Sequence, residues 1–121
     1  MSTERRSSFE AGTTLWLLQR VTAVFLVVTL AFHFFLLHYW NHAAEVTFTV
    51  SNERMTAPAY YFTMLAFLVA ATFHGVNGVY NALVNQGLTG TPRRAAKWLL
   101  VVAGVAVVVQ GVRVANALAG V

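Results

Sequence analysis

Three long apolar stretches govern what this chain can fold into: about Leu15 to Trp40, Tyr60 to Val84 and Ala95 to Leu118. Each matches or exceeds the roughly 20 residues that a helix rising about 1.5 Å per residue needs to cross about 30 Å of hydrocarbon. The chain is 58% hydrophobic and 10% charged, far below the roughly 25% charged residues of soluble domains. It therefore reads as an all-α integral membrane protein. Three spans, at about 15–40, 59–85 and 95–118, form one transmembrane domain of residues 15–121 behind a polar N-terminal arm of residues 1–14. The first run is too long, and too far from a small-residue cleavage site, to be a simple signal peptide.

Punctuation between the runs supports this division. Thr14 and Trp16 open the first helix as cap and interfacial aromatic, and Tyr39 and Trp40 close it. Pro58 suits the first turn of the second helix, beside the interfacial Tyr60 and Tyr61. The connection from Asn41 to Pro58 is polar, with an alternation over Val46 to Val50 too weak to assign a strand. The second connection, Gly87 to Lys97, carries Gly90, Pro92 and the cluster Arg93, Arg94 and Lys97.

Basic residues orient the spans. Arg5, Arg6 and Arg20 flank the start of the first helix, and the second cluster lies between helices two and three; Arg54 and Arg113 fall on the other side. The positive-inside rule then predicts an N-terminus inside, a C-terminus outside and a multi-pass protein of the cell (cytoplasmic or inner) membrane. The net charge of +4 resides at helix ends rather than on a groove-binding face, so no nucleic-acid partner is expected. Small residues such as Ala70, Ala71, Gly75, Gly78, Gly104 and Gly111 favour close helix approach. Many point in different directions, which predicts packing with partner helices from another chain into a larger bundle.

Ionisable groups within the spans are few: His33, His74, Arg20 and Arg113, with His38 near an edge. Such groups are costly in a membrane, by about 2.5–3.5 kcal/mol for a charge, and mark function by default. The chain has no Asp, and its glutamates, Glu4, Glu10, Glu45 and Glu53, are outside the spans. That argues against hydrolytic catalysis, a His–Glu metal centre and a carboxylate-driven transporter. No cysteine is present, which excludes disulfides, iron–sulfur ligation and thiol catalysis by this chain.

Neutral imidazole is a good axial ligand for haem iron, and bis-histidine ligation suits electron transfer. His74, with Gly75 beside it and Gly78 one turn on, is the leading ligand candidate, the glycines clearing space for a porphyrin. The alternative is a histidine that only hydrogen-bonds a neighbouring helix. Counting from the helix midpoints puts His33 about 8 Å to the outer side and His74 about 3 Å to the inner side, so about 10 Å apart in depth. They cannot share one iron; each would need a partner histidine from another chain, giving two stacked haems. His38 and His42 read as structural. Arg20 near the inner surface and Arg113 near the outer, one turn from Gln110, are candidate donors to haem propionates or quinone carbonyls, with snorkelling to lipid headgroups as the alternative.

Two motifs give the sequence a family likeness. One is Leu18-Gln19-Arg20-Val21-Thr22-Ala23-Val24 at the start of the first helix; the other is His74 with Gly78, followed by Asn85-Gln86 at the end of the second. With the three-helix layout they resemble the smaller, D-type hydrophobic membrane anchor of succinate:quinone oxidoreductase (succinate dehydrogenase, respiratory complex II). The resemblance implies a non-catalytic anchor in a four-subunit enzyme of the respiratory chain and tricarboxylic acid cycle. A flavoprotein oxidises succinate, an iron–sulfur subunit carries electrons, and this anchor with a C-type sister binds haem b and helps form the quinone site. It implies His74 as a ligand of haem b, with the other ligand from the sister anchor, and Arg20 beside propionates and quinone. Di-haem relatives suggest His33 for an outer haem. Where the family often has Asp-Tyr against the quinone, this chain has Asn85 and Gln86; Tyr80 is a candidate substitute. The same anchor would serve a fumarate reductase, and the reading from a different class is a non-haem structural scaffold.

Overall fold

The computed structural model describes residues 13–121, so the expected polar arm, residues 1–14, lies almost wholly outside the described residues. Helix α1 spans Thr13–Phe35 and continues into a π-helical turn, Leu36–Trp40, in which the Asn41 N–H donates to the Leu36 carbonyl at 2.8 Å. Helices α3, Pro58–Asn85, and α4, Gly90–Ala119, follow a short helix α2, Phe48–Thr56. Three of these elements, Thr14–Trp40, Pro58–Asn85 and Gly90–Ala119, are long and apolar enough to span a bilayer. No strand occurs among the described residues.

Two connections differ from the sequence reading. Residues 41–58 are mostly helical: a 3₁₀ turn at Ala43–Glu45, then α2. Thr47 caps α2, its hydroxyl accepting from the Val50 N–H at 3.3 Å, and this local bond overrides the weak alternation of Val46 to Val50. Ala57, extended at ψ 118°, ends α2 because it precedes Pro58, which starts α3. Likewise α4 begins at Gly90 rather than near Ala95, so Arg93, Arg94 and Lys97 stand on its first turns. Pro92 is tolerated there because first-turn N–H groups need no intrahelical partner.

The reversal between α3 and α4 is correspondingly short. Leu88 N–H reaches the Leu83 carbonyl (3.1 Å) and Gly87 N–H that of Val84 (3.0 Å), a Schellman ending. It requires a left-handed residue, which Gly87 supplies at φ 97°.

Helix α3 is the centre of the bundle, packing against α1 on one side and α4 on the other, while α2 lies across the far ends of α3 and α4. Glycines set the α3–α4 contact. A Cβ on Gly111 would come within 2.5 Å of Leu68, and one on Gly104 within 3.0 Å of Val76. Tyr61 donates to the Asn116 side chain across the same seam. Polar side chains within the spans bond to their own helix: Thr29 to the Phe25 carbonyl and Thr72 to that of Leu68, each at 2.8 Å. Met55 and Ala115 are buried, whereas Val24, Val27, Phe32, Leu99, Val102 and Val105 face outward. These faces belong against lipid or other helices, not water.

Candidate functional site

The sequence puts Gln19 and Thr22 one turn apart on α1, so both project from one face. That face meets α3 at His74. The Gln19 amide bridges two groups of α3, donating to the His74 carbonyl at 3.2 Å and accepting from Asn77 Nδ2 at 2.8 Å. Thr22 Oγ1 lies 2.7 Å from the Leu18 carbonyl, 3.2 Å from that of Gln19 and 3.2 Å from His74 Nδ1.

A hydroxyl has one proton to give. With that proton on the nearer carbonyl, Leu18, the oxygen's lone pair is free to accept from an Nδ1–H of His74, the tautomer that leaves the Nε2 lone pair free. Fixing one ring nitrogen so that the other is left as a donor atom is how proteins prepare histidine ligands. His74 is only partly buried.

The glycines divide their work differently from the expectation. The space beside Gly78 is taken by Gln19, whose Nε2 a Cβ there would meet at 3.3 Å. Gly78 lets α1 approach rather than clearing room for a planar cofactor. Gly75 is exposed, with no atom within 4 Å of where its Cβ would stand, and it lines a groove with Leu100, Ala103 and Val107 of α4 rather than the side of α3 that meets α1.

Thr22 opposite His74 fixes the register of α1 on α3. His33 lies eleven residues further along α1, about 16 Å in depth from His74, not about 10 Å. The midpoint count failed because α1 and α3 are offset by about a turn. His33 borders a cavity of about 430 Å³ formed within the chain, together with Ser51, Arg54, Tyr60 and Met64. Arg54 Nη2 is buried there without a hydrogen-bond partner. Among the described residues no three His, Cys, Asp or Glu side chains converge.

The other candidates do not gather. Arg20 is exposed and stacks its guanidinium over Trp16 at 5.3 Å. Asn85 and Gln86 are exposed at the end of α3, about 13 Å further in depth than Arg20 by the same register. Arg113 is exposed on α4, about 200° around the helix from Gly111, the residue that meets α3. It does not line the cavity that His33 borders. His38 has a local role, stacking on Phe34 at 3.9 Å with Nδ1 against the Phe34 carbonyl.

Sequence reasoning left Gln19, Thr22, Asn77 and Arg54 without roles. For the first two a signal was present: Gln19, Thr22 and His33 share one face of α1 at helical spacing. Asn77 sits on the turn after His74, but nothing in the sequence pairs it with Gln19.

A model of the succinate dehydrogenase/fumarate reductase transmembrane subunit family matches residues 2–112. The chain belongs to that family. No curated protein and no solved structure matches it significantly. As a transmembrane subunit of this family, it is a multi-pass membrane component of a succinate dehydrogenase/fumarate reductase complex, whose other subunits are its partners. The matched region runs from before α1 into the last turns of α4 and includes the Gln19–Thr22–His74–Asn77 cluster.

Proposed function

We propose that this chain is the D-type hydrophobic anchor of succinate:quinone oxidoreductase and supplies, through His74 Nε2, one axial ligand of a haem b shared with a sister anchor. The supporting observation is the 3.2 Å contact between Thr22 Oγ1 and His74 Nδ1, which prepares Nε2 as the ligating atom. The donor set fits: an imidazole with a hydroxyl against Nδ1, on an otherwise apolar span. Bound haem b would supply one-electron transfer beside the path from the iron–sulfur partner to quinone.

The residues of this chain have definite parts in that reading. Thr22 keeps the proton on Nδ1. Gln19 and Asn77 lock α1 to α3, so the imidazole cannot drift in height. Arg20, two residues before Thr22, reaches a propionate at the subunit interface as an always-charged donor. Asn85 and Gln86, at the inner end of α3 under the positive-inside orientation, offer amide hydrogen bonds to a quinone carbonyl. His33, with Arg54 as its cationic neighbour, is the ligand for a second, outer haem.

The haem b to flavin ratio of the detergent-purified complex tests this, read from reduced-minus-oxidised spectra against flavin content. A ratio near two supports both ligands, and a ratio near one supports His74 alone. No haem at all overturns the ligand reading and leaves a structural scaffold.

A further inference from the structure

A cavity of about 520 Å³ opens between the start of α1, α3 and the first turns of α4. Asn77 of the His74 cluster borders it, but neither His74 nor His33 does. Its deeper wall is apolar, including Phe73 and Leu100, and its other end carries Tyr80, Asn81, Arg93 and Lys97. Arg93 Nε donates to the Tyr80 hydroxyl at 2.9 Å. Tyr80 can therefore turn its own proton into the cavity, and the terminal guanidinium nitrogens are left over. Lys97 stands one turn further along α4. The carboxylate side chains among the described residues, Glu45 and Glu53, are both at the opposite end of the bundle. Two cations thus border one cavity with no counter-charge among the described side chains. Asn81 Oδ1 is buried beside them without a donor.

We propose that this cavity binds one glycerophospholipid of the surrounding bilayer. Its phosphate would lie on Arg93, Lys97 and the Tyr80 hydroxyl, and an acyl chain would run along Phe73 and Leu100. The chemistry selects this class. A phosphate satisfies cationic and hydroxyl donors together, and the apolar wall excludes a free inorganic ion as a full occupant. A neutral quinone would leave both cations uncompensated. The asymmetry with Arg94 is informative: it is exposed and does not border the cavity, so it acts as a plain surface cation. The site does not depend on haem ligation by His74.

The test uses the intact detergent-purified complex, with bound phospholipid, quinone and haem quantified in each sample by mass spectrometry and absorbance. The expected result is that Arg93→Gln with Lys97→Gln removes one retained phospholipid per copy of this chain. Arg94→Gln removes none, and the charge-preserving pair Arg93→Lys with Lys97→Arg retains most of it. After delipidation, phosphatidylglycerol or phosphatidylethanolamine should raise the thermal midpoint of wild type and not that of the glutamine pair. Inorganic phosphate alone should not reproduce the effect. Unchanged phospholipid in the glutamine pair, loss of quinone in its place, or full rescue by inorganic phosphate each overturns the proposal. Haem read in the same samples reports on His74 separately.

Discussion

Replacing Thr22 with valine keeps the shape of the side chain and removes its oxygen, which isolates the 3.2 Å contact to His74 Nδ1. Two estimates bracket the effect. A donor left without a partner in a dry setting costs about 1–3 kcal/mol, whereas measured interhelical hydrogen bonds in membranes average about 0.6 and reach about 1.7 kcal/mol. Their overlap, about 1–1.7 kcal/mol, corresponds to roughly a 5- to 18-fold loss in affinity, which reaches the lower part of the 10- to 100-fold range typical of lost support to a metal-ligating histidine. Valine also deletes the hydroxyl's bond to the Leu18 carbonyl, so Thr29→Val is the control. Thr29 makes the same kind of bond, to Phe25 at 2.8 Å, with no histidine beside it. Haem titrated into the haem-depleted complex and followed by its Soret band should bind roughly 5- to 18-fold more weakly in Thr22→Val than in Thr29→Val. Thr22→Ser should restore most of the affinity. Equal affinities for the two valine variants would falsify the claim that Thr22 prepares the ligand.

Further outcomes follow from the packing. Gly111→Ala forces a methyl into Leu68, whose Cδ2 would be 2.5 Å away; thermal or detergent unfolding should show a loss of about 1–3 kcal/mol from overpacking. Gly75→Ala, with nothing within 4 Å, should be neutral or slightly stabilising in the same assay. Gly87→Ala puts a side chain at φ 97° and should cost about 1–2 kcal/mol in unfolding experiments. Arg113→Gln should leave the haem-to-flavin ratio unchanged, because Arg113 is exposed and does not line the cavity that His33 borders.

Legibility in the sequence followed the range of the interactions. The three spans were readable because a bilayer imposes a length and a polarity that each segment satisfies by itself. The start of α3 at Pro58 and its end near Gly87 were equally local, set by a missing N–H and a left-handed turn. The start of α4 was missed because the basic cluster looked like a loop, although first-turn geometry accepts Pro92. Helix α2 was missed because one side-chain cap from Thr47 outweighed a weak alternation.

The sequence by itself determined that this is a membrane protein with three spans, and it singled out His74 and the residues from Leu18 to Val24. Those properties rest on composition and on spacing within one helix. Only the tertiary structure decided that Thr22 meets His74, that Gly78 accommodates Gln19, that Arg54 rather than Arg113 neighbours His33, and that Arg93 and Lys97 face a cavity. Each of these depends on how far one helix slides and turns against another. Buried glycines and a few hydrogen bonds across α1, α3 and α4 set that offset, and no periodicity within a single helix encodes it.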